Sequence, residues 1–230
     1  MKGTNEARGP VRDGGDVLWV QEVFATLQGE GPFSGEPAVF VRLAGCNLKC
    51  VWCDTEFESS TWKPGREALI ERVASTAAPR CDLVVLTGGE PLRQDVTPLI
   101  EGLLNRGFRV QIETNGTLWV ELPEDPRVTV VCSPKTARLD PDLEARIDAY
   151  KYILAAGEVD PEDGLPAMST QRVGRAQRLA RPREGVPVWV QPRDDGDAVH
   201  NEANLKAATS SALKHGHRLG LQLHKIVGLE

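Results

Sequence analysis

Residues 39–55 read VFVRLAGCNLKCVWCDT and hold three of the five cysteines of the chain, in the spacing C-x3-C-x2-C. The apolar run at the start of this stretch predicts a β-strand. Gly45 interrupts that run, so we expect Cys46, Cys50 and Cys53 to lie in a loop beyond the end of the strand. Thiolates are soft ligands, and three of them this close together indicate zinc or an iron–sulfur cluster.

The number of cysteines bears on the choice between these two kinds of metal site. A structural zinc site normally has four protein ligands, often in two separated pairs. The chain has no second C-x2-C pair, because Cys81 and Cys132 stand alone. Three cysteines can instead hold three irons of a [4Fe–4S] cluster and leave the fourth iron open. The spacing favours such a cluster, and a zinc-binding structural module remains the alternative.

The composition suits one globular unit. The chain has 230 residues, of which 40% are hydrophobic, and single α/β domains are commonly this large. Residues 1–16 are polar and include four glycines. We therefore predict a disordered tail over residues 1–16 and a single domain over residues 17–230.

Charge and cysteine usage exclude several classes of protein. A net charge of −6 argues against a general nucleic-acid binder. No apolar run approaches the roughly 18 residues of a membrane helix, and the start of the sequence lacks a signal-peptide pattern. Five cysteines, three of them in one cluster, do not resemble a disulfide framework. These features predict a protein of the reducing cytoplasm without direct contacts to membrane or nucleic acid.

Short apolar runs alternate with helical patterns from residue 39 onwards, which predicts βα units and a parallel sheet. About six strands follow in this region, too few for a closed eight-stranded barrel. We therefore predict an α/β fold with an incomplete (β/α)6-type barrel, a partial TIM barrel. Polar motifs follow several predicted strands, where α/β folds place their sites: residues 87–91 (TGGEP), 113–116 (ETNG) and 133–135 (SPK).

The cysteine spacing resembles the signature of the radical S-adenosylmethionine (SAM) superfamily. This resemblance implies that the open iron binds the amino and carboxylate groups of SAM. Residues 87–91 look like the second motif of the superfamily, which contacts the SAM amino group. The Gly88-Gly89 pair fits this interpretation because glycine lets the backbone approach a neighbour closely.

Further motifs resemble the 7-carboxy-7-deazaguanine synthase family within that superfamily. The family implies conversion of 6-carboxy-5,6,7,8-tetrahydropterin to 7-carboxy-7-deazaguanine with loss of ammonia, on the route to queuosine and related deazapurines. It also implies a Mg²⁺ ion. The match covers the chain from about Gln21 onwards and rests on Arg42 and on residues 27–31 (LQGEG), 53–55 (CDT), 113–116, 133–135 and 222–225 (QLHK).

The resemblance implies a role for each of the following residues. Substrate binding falls to Leu27, Gln28, Gly29, Glu30, Arg42, Thr87 and Glu230. SAM binding falls to Trp52, Cys53, Asp54, Gly89, Glu90, Glu113, Ser133, Pro134, Lys135 and Gln191. The metal ligands are Cys46, Cys50 and Cys53 for the [4Fe–4S] cluster and Thr55 for Mg²⁺.

Simple chemistry supports some of these roles. The planar guanidinium of Arg42 suits a substrate carboxylate, although an ion pair at the barrel edge is an equally good interpretation. Gln28 can read the edge of a pterin through hydrogen bonds, and Thr55 offers the hard oxygen that Mg²⁺ prefers. His224 receives no role.

The resemblance also implies partners and leaves a second enzyme class open. We expect a flavodoxin- or ferredoxin-type electron donor, a small-molecule pterin substrate and a homodimer. A radical-generating activase of a glycyl-radical enzyme shares the cysteine spacing and a short, open barrel. Such an activase acts on a protein partner and should lack a pocket built around Gln28 and Arg42.

Overall fold

The computed structural model describes residues 5–51, 53, 55–169, 171 and 177–229. Within these residues, eight strands form one sheet and follow one another in chain order. The first two strands are antiparallel, and every later neighbouring pair is parallel. The strands are β1 Val20–Leu27, β2 Pro37–Leu43, β3 Leu83–Gly88, β4 Arg109–Thr114, β5 Val128–Cys132, β6 Ala149–Leu154, β7 Val188–Pro192 and β8 Arg218–Leu219.

Helices occupy most of the connections between parallel strands, as the alternating sequence pattern predicts. No helix in the described part of the chain is long and apolar enough to cross a membrane. The α-helices are α1 Arg66–Thr76, α2 Thr97–Asn105, α3 Pro141–Ala145, α4 Ala198–His215 and α5 Leu223–Ile226.

The sheet is open, because β1 and β8 lie at its two ends and do not pair with each other. The predicted incomplete α/β barrel is therefore confirmed. The strand count from residue 39 onwards is seven rather than about six, and the additional strand β8 has only two residues. The apolar run at residues 219–223 suggested a longer last strand. Instead, the strand ends at Leu219 and α5 begins at Leu223.

The two faces of the sheet carry different kinds of side chain, since neighbouring residues of a strand point to opposite faces. On β4, Val110 and Ile112 join the main hydrophobic core, to which α1 and α2 also contribute. Gln111 and Glu113 point the other way, into the concave side of the sheet. The main core therefore lies between sheet and helices, whereas the concave side carries polar groups beside two smaller apolar clusters.

Residues 5–16 run beside the cysteine loop, whereas the sequence predicted a disordered tail there. The backbone N–H groups of Arg8 and Val11 donate hydrogen bonds of 2.7 Å to the carbonyl oxygens of Cys46 and Arg93. The segment contains almost no apolar residues, so no hydrophobic periodicity could indicate this placement. Hydrogen bonds from the backbone and from arginine side chains hold it instead.

Candidate active site

A cavity of about 400 Å³ opens at the carboxyl ends of the parallel strands. Its walls come from β1, β2, the cysteine loop, the ends of β3 to β7 and helix α5. This is the edge at which the sequence predicts a site. The predicted site residues that line the cavity are Leu27, Gln28, Glu30, Arg42, Cys46, Cys50, Cys53, Thr55, Thr87, Gly89, Glu113, Ser133, Lys135 and Gln191.

All three cysteines of the loop line this cavity. The loop begins where β2 ends at Leu43, and Gly45 turns the chain with a positive φ of 80°. The side-chain amide of Asn115 lies 3.9 Å from the sulfur of Cys46, and that of Gln171 lies 3.1 Å from the sulfur of Cys50. The loop is thus fixed at the cavity wall by polar neighbours from two other segments.

The donor set suits a [4Fe–4S] cluster. Among the described residues, no three His, Cys, Asp or Glu side chains converge on a point that would hold a single metal ion. A cluster instead binds each cysteine through a different iron, so its thiolates need only face one common space. The cysteines Cys46, Cys50 and Cys53 meet that condition, and Cys81 and Cys132 lie outside the lining of the cavity.

The Gly88-Gly89 pair lets β3 lie directly against the cysteine loop. A Cβ atom at Gly88 would come within 2.0 Å of the Leu43 carbonyl oxygen, and one at Gly89 within 2.3 Å of the Gly45 carbonyl oxygen. Gly88 also has a φ of 133°, which side chains rarely tolerate. The close backbone approach that the motif predicts is therefore made to the loop that holds Cys46.

Glu90 follows these glycines and lies beneath the cavity wall, outside the lining. It is fully buried and accepts hydrogen bonds from Leu92 N (3.0 Å), Thr114 Oγ1 (2.8 Å) and Asn115 N (2.7 Å). Burial raises the pKa of Glu90 to about 7, although these hydrogen bonds oppose the shift. In this structure Glu90 ties the end of β3 to the end of β4, and its side chain lies outside the lining of the cavity.

Arg42 lines the cavity from β2 and also forms the barrel-edge ion pair that was the alternative interpretation. Its Nε donates to Glu22 Oε1 on the neighbouring strand β1 at 2.6 Å, and its guanidinium lies over the ring of Phe24. Among the described residues, Nη1 and Nη2 of Arg42 have no hydrogen-bond acceptor. The ion pair therefore positions Arg42 and leaves donors for a ligand.

The loop after β1 is held against α5. Gly29 does not line the cavity, but a Cβ atom there would come within 2.0 Å of His224 Nδ1. The N–H of Leu223 donates to the carbonyl oxygen of Gly29 at 3.1 Å. Gly29 thus makes room for α5, and this contact places His224 in the cavity wall. Burial lowers the pKa of His224, which favours its neutral form.

A lysine that the sequence analysis did not single out lies at the centre of the cavity floor. The ammonium of Lys151 on β6 contacts Glu30 Oε2 and lies 3.0 Å from Glu113 Oε2. The other carboxylate oxygen of each glutamate accepts hydrogen bonds from two glutamine side chains. We call this group the floor network: Lys151, Glu30, Glu113, Gln28, Gln111, Gln191 and Gln222.

The charges of the floor network stabilise one another. Burial on its own would raise the pKa of Glu30, but Lys151 and the two glutamine amides bound to Glu30 lower it to about 2. Burial would likewise lower the pKa of Lys151, but Glu113 and Glu30 together raise it. The floor therefore contains one buried ammonium and two carboxylates.

The residues predicted to hold SAM divide into three groups. Six of them line the cavity: Cys53, Gly89, Glu113, Ser133, Lys135 and Gln191. Ser133 Oγ donates to the Lys151 carbonyl oxygen and Lys135 Nζ to the Ser133 carbonyl oxygen, both at 2.9 Å. Pro134, like Glu90, is outside the lining. Three further predictions, at Trp52, Asp54 and the substrate position Glu230, lie outside the described residues.

The sequence contained a usable signal for Lys151. Its neighbours Tyr150 and Tyr152 both point into the main core, so the alternation of β6 directs Lys151 to the concave side. A lysine on the inner face of a central strand normally has a charged partner. Asn115 and Gln222 belong to the quoted ETNG and QLHK motifs, but neither received a role.

Comparisons with known proteins agree with this geometry. The model of the radical SAM superfamily matches residues 41–155, which include the cysteine loop and strands β3 to β6. A crystal structure of QueE from Escherichia coli superposes with a TM-score of 0.66 at 26% sequence identity, covering 90% of this chain and 95% of that one.

Two relatives match nearly the full length of the chain, and both are named 7-carboxy-7-deazaguanine synthase. The Rhodospirillum rubrum protein is 61% identical, over 99% of this chain and 99% of its own. The Rickettsia prowazekii protein is 40% identical, over 100% of this chain and 96% of its own. With its cysteine loop, its open barrel and this similarity, the chain belongs to the 7-carboxy-7-deazaguanine synthase family of the radical SAM superfamily.

Proposed function

We propose that the chain converts 6-carboxy-5,6,7,8-tetrahydropterin to 7-carboxy-7-deazaguanine with loss of ammonia, on the route to queuosine and related deazapurines. The observation that carries this proposal is the cavity, because it brings the three cysteines and a hydrogen-bonding floor into one space. A radical enzyme of this kind needs its cluster and its substrate next to each other. The names of the two relatives support the same reaction.

The proposed cofactors are a [4Fe–4S] cluster and SAM. Cys46, Cys50 and Cys53 would hold the cluster, which supplies the electron that cleaves SAM. Gly89 offers backbone at the edge of the cysteine loop, where a side chain would not fit. Lys135 and Gln191 offer polar groups on the other side of the cavity, and these suit the carboxylate and hydroxyl groups of SAM.

The substrate is proposed to lie between Arg42 and the floor network. A carboxylate on the pterin would pair with the guanidinium of Arg42, which offers a planar set of donors. The pyrimidine edge of a pterin carries N–H donors, and Glu30, Glu113 and Gln28 offer acceptor atoms at the floor. Thr87, next to Arg42 on the neighbouring strand, lies within the same wall.

Mg²⁺ belongs to the proposal through Thr55. The residue lines the cavity beside the cysteine loop, and Asn5 donates to its carbonyl oxygen at 3.0 Å. Mg²⁺ commonly takes only one or two protein ligands and completes its shell with water and substrate oxygens. Thr55 would supply one oxygen and the pterin carboxylate another.

Several further features are part of this proposal. A single domain would act as a homodimer and receive electrons from a flavodoxin- or ferredoxin-type carrier. The reducing cytoplasm is the expected location, because an oxygen-labile cluster requires reducing surroundings. The acidic composition fits an enzyme that handles a free small molecule rather than nucleic acid.

Anaerobic turnover tests the proposed function. Purified protein is reconstituted with iron and sulfide and incubated with SAM, a reductant and the carboxypterin, and the products are read by mass spectrometry. We expect 7-carboxy-7-deazaguanine in the complete mixture and none of it when SAM is omitted. Protein that cleaves SAM but leaves the carboxypterin unchanged would contradict the proposal and favour a glycyl-radical activase. Protein that takes up zinc and no iron would favour the structural module.

A further inference from the structure

In the floor network, Lys151 and the glutamine amides donate hydrogen bonds, and the two glutamate carboxylates accept them. Each of the two carboxylates offers its Oε2 atom to the ammonium and its Oε1 atom to two amide groups. Glu113 Oε1 accepts from Gln28 and Gln111, both at 3.0 Å. Glu30 Oε1 accepts from Gln191 and Gln222, both at 2.9 Å.

The carboxylates determine which way the glutamine amides point. An ionised carboxylate only accepts hydrogen bonds, so each amide must present its NH₂ group to the carboxylate and turn its oxygen elsewhere. Gln28 Oε1 accepts from the N–H of Glu30 at 3.1 Å. The Oε1 atoms of Gln111 and Gln191 are buried and have no hydrogen-bond partner in the described part of the chain. Gln28, Glu30 and Glu113 line the cavity, so their oxygens are the floor acceptors that face a ligand with N–H groups.

We infer that Lys151 is a positioning residue that fixes the hydrogen-bond polarity of the cavity floor. Its ammonium balances Glu30 and Glu113, the two carboxylates orient the glutamine amides, and the floor as a whole then presents acceptors. Such a floor selects a pyrimidine edge that offers amino and ring N–H donors over one in which a carbonyl oxygen takes the place of the amino group. This inference rests on the proposed function, in which the ligand edge is that of a pterin. Lys151 itself does not need to touch the reacting atoms.

Other charged groups around the cavity cannot replace Lys151 in this role. Arg42 is paired with Glu22, and Lys225 is paired with Asp194. Lys135 donates to the carbonyl oxygen of Ser133. His224 faces Glu30 and Glu113 from α5, and burial lowers its pKa. Of the cationic side chains that the structure describes, Lys151 is the one that contacts both floor carboxylates.

Replacing Lys151 by methionine removes the positive charge while keeping a similar length of side chain. The two carboxylates are then left close together without a cation, and such a pair takes up a proton. A protonated carboxyl can also donate a hydrogen bond, so the amides are no longer held in a single orientation. Ligand binding should consequently become dependent on pH, with the largest loss at low pH where the pair is protonated.

The test is equilibrium binding of 6-carboxy-5,6,7,8-tetrahydropterin to anaerobically reconstituted protein with SAM and without reductant, so that no turnover occurs. We measure the ratio of Kd for Lys151→Met to Kd for wild type from pH 6 to pH 8.5. Ionisation of the free ligand affects both Kd values equally and therefore cancels in the ratio. We expect a ratio of at least about tenfold at pH 6 that shrinks as the pH rises. Lys151→Arg keeps the charge and should give a ratio that does not change with pH.

Two results would overturn the inference while leaving the proposed function intact. One is a Lys151→Met ratio that is constant over this pH range. The other is wild-type affinity in Lys151→Met. Lys206→Met, which removes an exposed lysine paired with Glu202 on α4, is the matched control and should bind like wild type. Failure of the wild-type protein itself to bind the carboxypterin would instead count against the proposed function.

A second ligand keeps the test decisive if Lys151→Met does not fold. The double variant Lys151→Met/Glu30→Gln has no pair of like charges and should fold more readily. Its probe is the lumazine analogue of the substrate, in which a carbonyl oxygen replaces the 2-amino donor. Wild type should bind the carboxypterin more tightly than this analogue. In the double variant, the ratio of the two Kd values should be about tenfold smaller. An unchanged preference would overturn the inference.

Discussion

The backbone N–H of Arg8 donates a 2.7 Å hydrogen bond to the carbonyl oxygen of Cys46, the first cysteine of the loop. The side chain of Arg8 holds Glu58, beyond the last cysteine, through bonds of 2.9 and 2.6 Å. The buried guanidinium of Arg93 joins the same segment to the loop, donating to the carbonyl oxygens of Gly9 and Ala44. Residues 5–12, which we call the N-terminal strap, therefore bind both ends of the cysteine loop.

Deleting residues 1–9 should make the cluster less stable, because the loop loses its contacts with the strap. We expect several-fold faster bleaching of the absorbance near 400 nm when reconstituted protein is exposed to air or to an iron chelator. Arg8→Ala should give a smaller change in the same direction. Arg66→Ala, which removes a half-buried arginine from the start of α1, is the control. Bleaching of the deletion variant at the wild-type rate would contradict a role for the strap.

Each cysteine of the loop should be required for the cluster. Cys46→Ala, Cys50→Ala and Cys53→Ala should each abolish SAM cleavage, because each thiolate holds a separate iron. Cys81→Ala and Cys132→Ala are the matched controls, since neither residue lines the cavity. The measurements are iron content and 5′-deoxyadenosine release. Loss of iron loading in either control variant would contradict a cluster held by three cysteines.

Much of this arrangement follows from local sequence. Strand alternation and glycine positions predict that the cysteine loop and the polar motifs meet at one edge of the sheet, and they do. The floor network is different, because Lys151, Glu113 and Gln191 come from separate strands. Only the fold brings their side chains together, and no spacing in the sequence encodes that contact.

The N-terminal strap and Glu90 show two other features that the sequence alone does not predict. The strap is fixed by backbone hydrogen bonds, which leave no hydrophobic pattern for a reader of the sequence. Glu90 belongs to the TGGEP motif, which resembles the second motif of the radical SAM superfamily. Its side chain nevertheless turns away from the cavity to bind Thr114 and Asn115. A motif identifies the segment that lies at a site, but the direction of each side chain depends on tertiary packing.

Glu90 should make the folded protein less stable as the pH rises from about 5 to 7. Burial raises the pKa of Glu90 from 4.5 to about 7, so in this interval the folded protein binds a proton that the unfolded chain releases. The contribution of this group to the free energy of unfolding is fully present below pH 4.5. By pH 7 about 3 kcal/mol of that free energy is lost. Glu90→Gln removes the titration.

Anaerobic thermal unfolding from pH 5.5 to 7.5 measures this effect. The Tm of wild type relative to Glu90→Gln should decrease as the pH rises, even if the variant is less stable throughout because an amide cannot accept all three hydrogen bonds. Glu101→Gln, at an exposed position of α2, should show no such trend relative to wild type. A difference in Tm that is independent of pH would rule out titration of Glu90 in this range.

Thr55 should determine how strongly turnover depends on Mg²⁺. Under the proposed function, Mg²⁺ raises the rate of carboxypterin turnover, and Thr55→Ala weakens that dependence because a hard oxygen ligand is lost. Thr55→Ser keeps the hydroxyl group and should retain most of the dependence. The measurement is the rate as a function of Mg²⁺ concentration after chelation. Wild-type activity that survives thorough chelation unchanged would remove Mg²⁺ from the proposal.

Arg42 should contribute most of the recognition of the substrate carboxylate. Its Nε is held by Glu22 at 2.6 Å, so the guanidinium is already positioned to offer its terminal nitrogens to a ligand. Charge-assisted hydrogen bonds contribute about 1.5–3 kcal/mol, and their loss leaves the partner charge unpaired. Arg42→Ala should therefore lower kcat/KM for the carboxypterin by about tenfold to a hundredfold or more. Arg42→Lys should recover only part of the lost kcat/KM, because an ammonium lacks the planar pair of donors.

Steady-state kinetics on variants with matched iron content measure this loss, and three comparisons interpret it. Arg109→Ala also removes an ion-paired arginine, but from the start of β4, where it binds Glu36 and Asp82 away from the cavity. It should leave KM for the carboxypterin close to wild type. Slow cleavage of SAM without substrate should persist in Arg42→Ala, because the cysteine loop is untouched. Glu22→Gln should have a smaller effect than Arg42→Ala, since it loosens the guanidinium without removing it. Wild-type kinetics in Arg42→Ala would exclude Arg42 from the substrate site and leave the ion pair with Glu22 as its whole role.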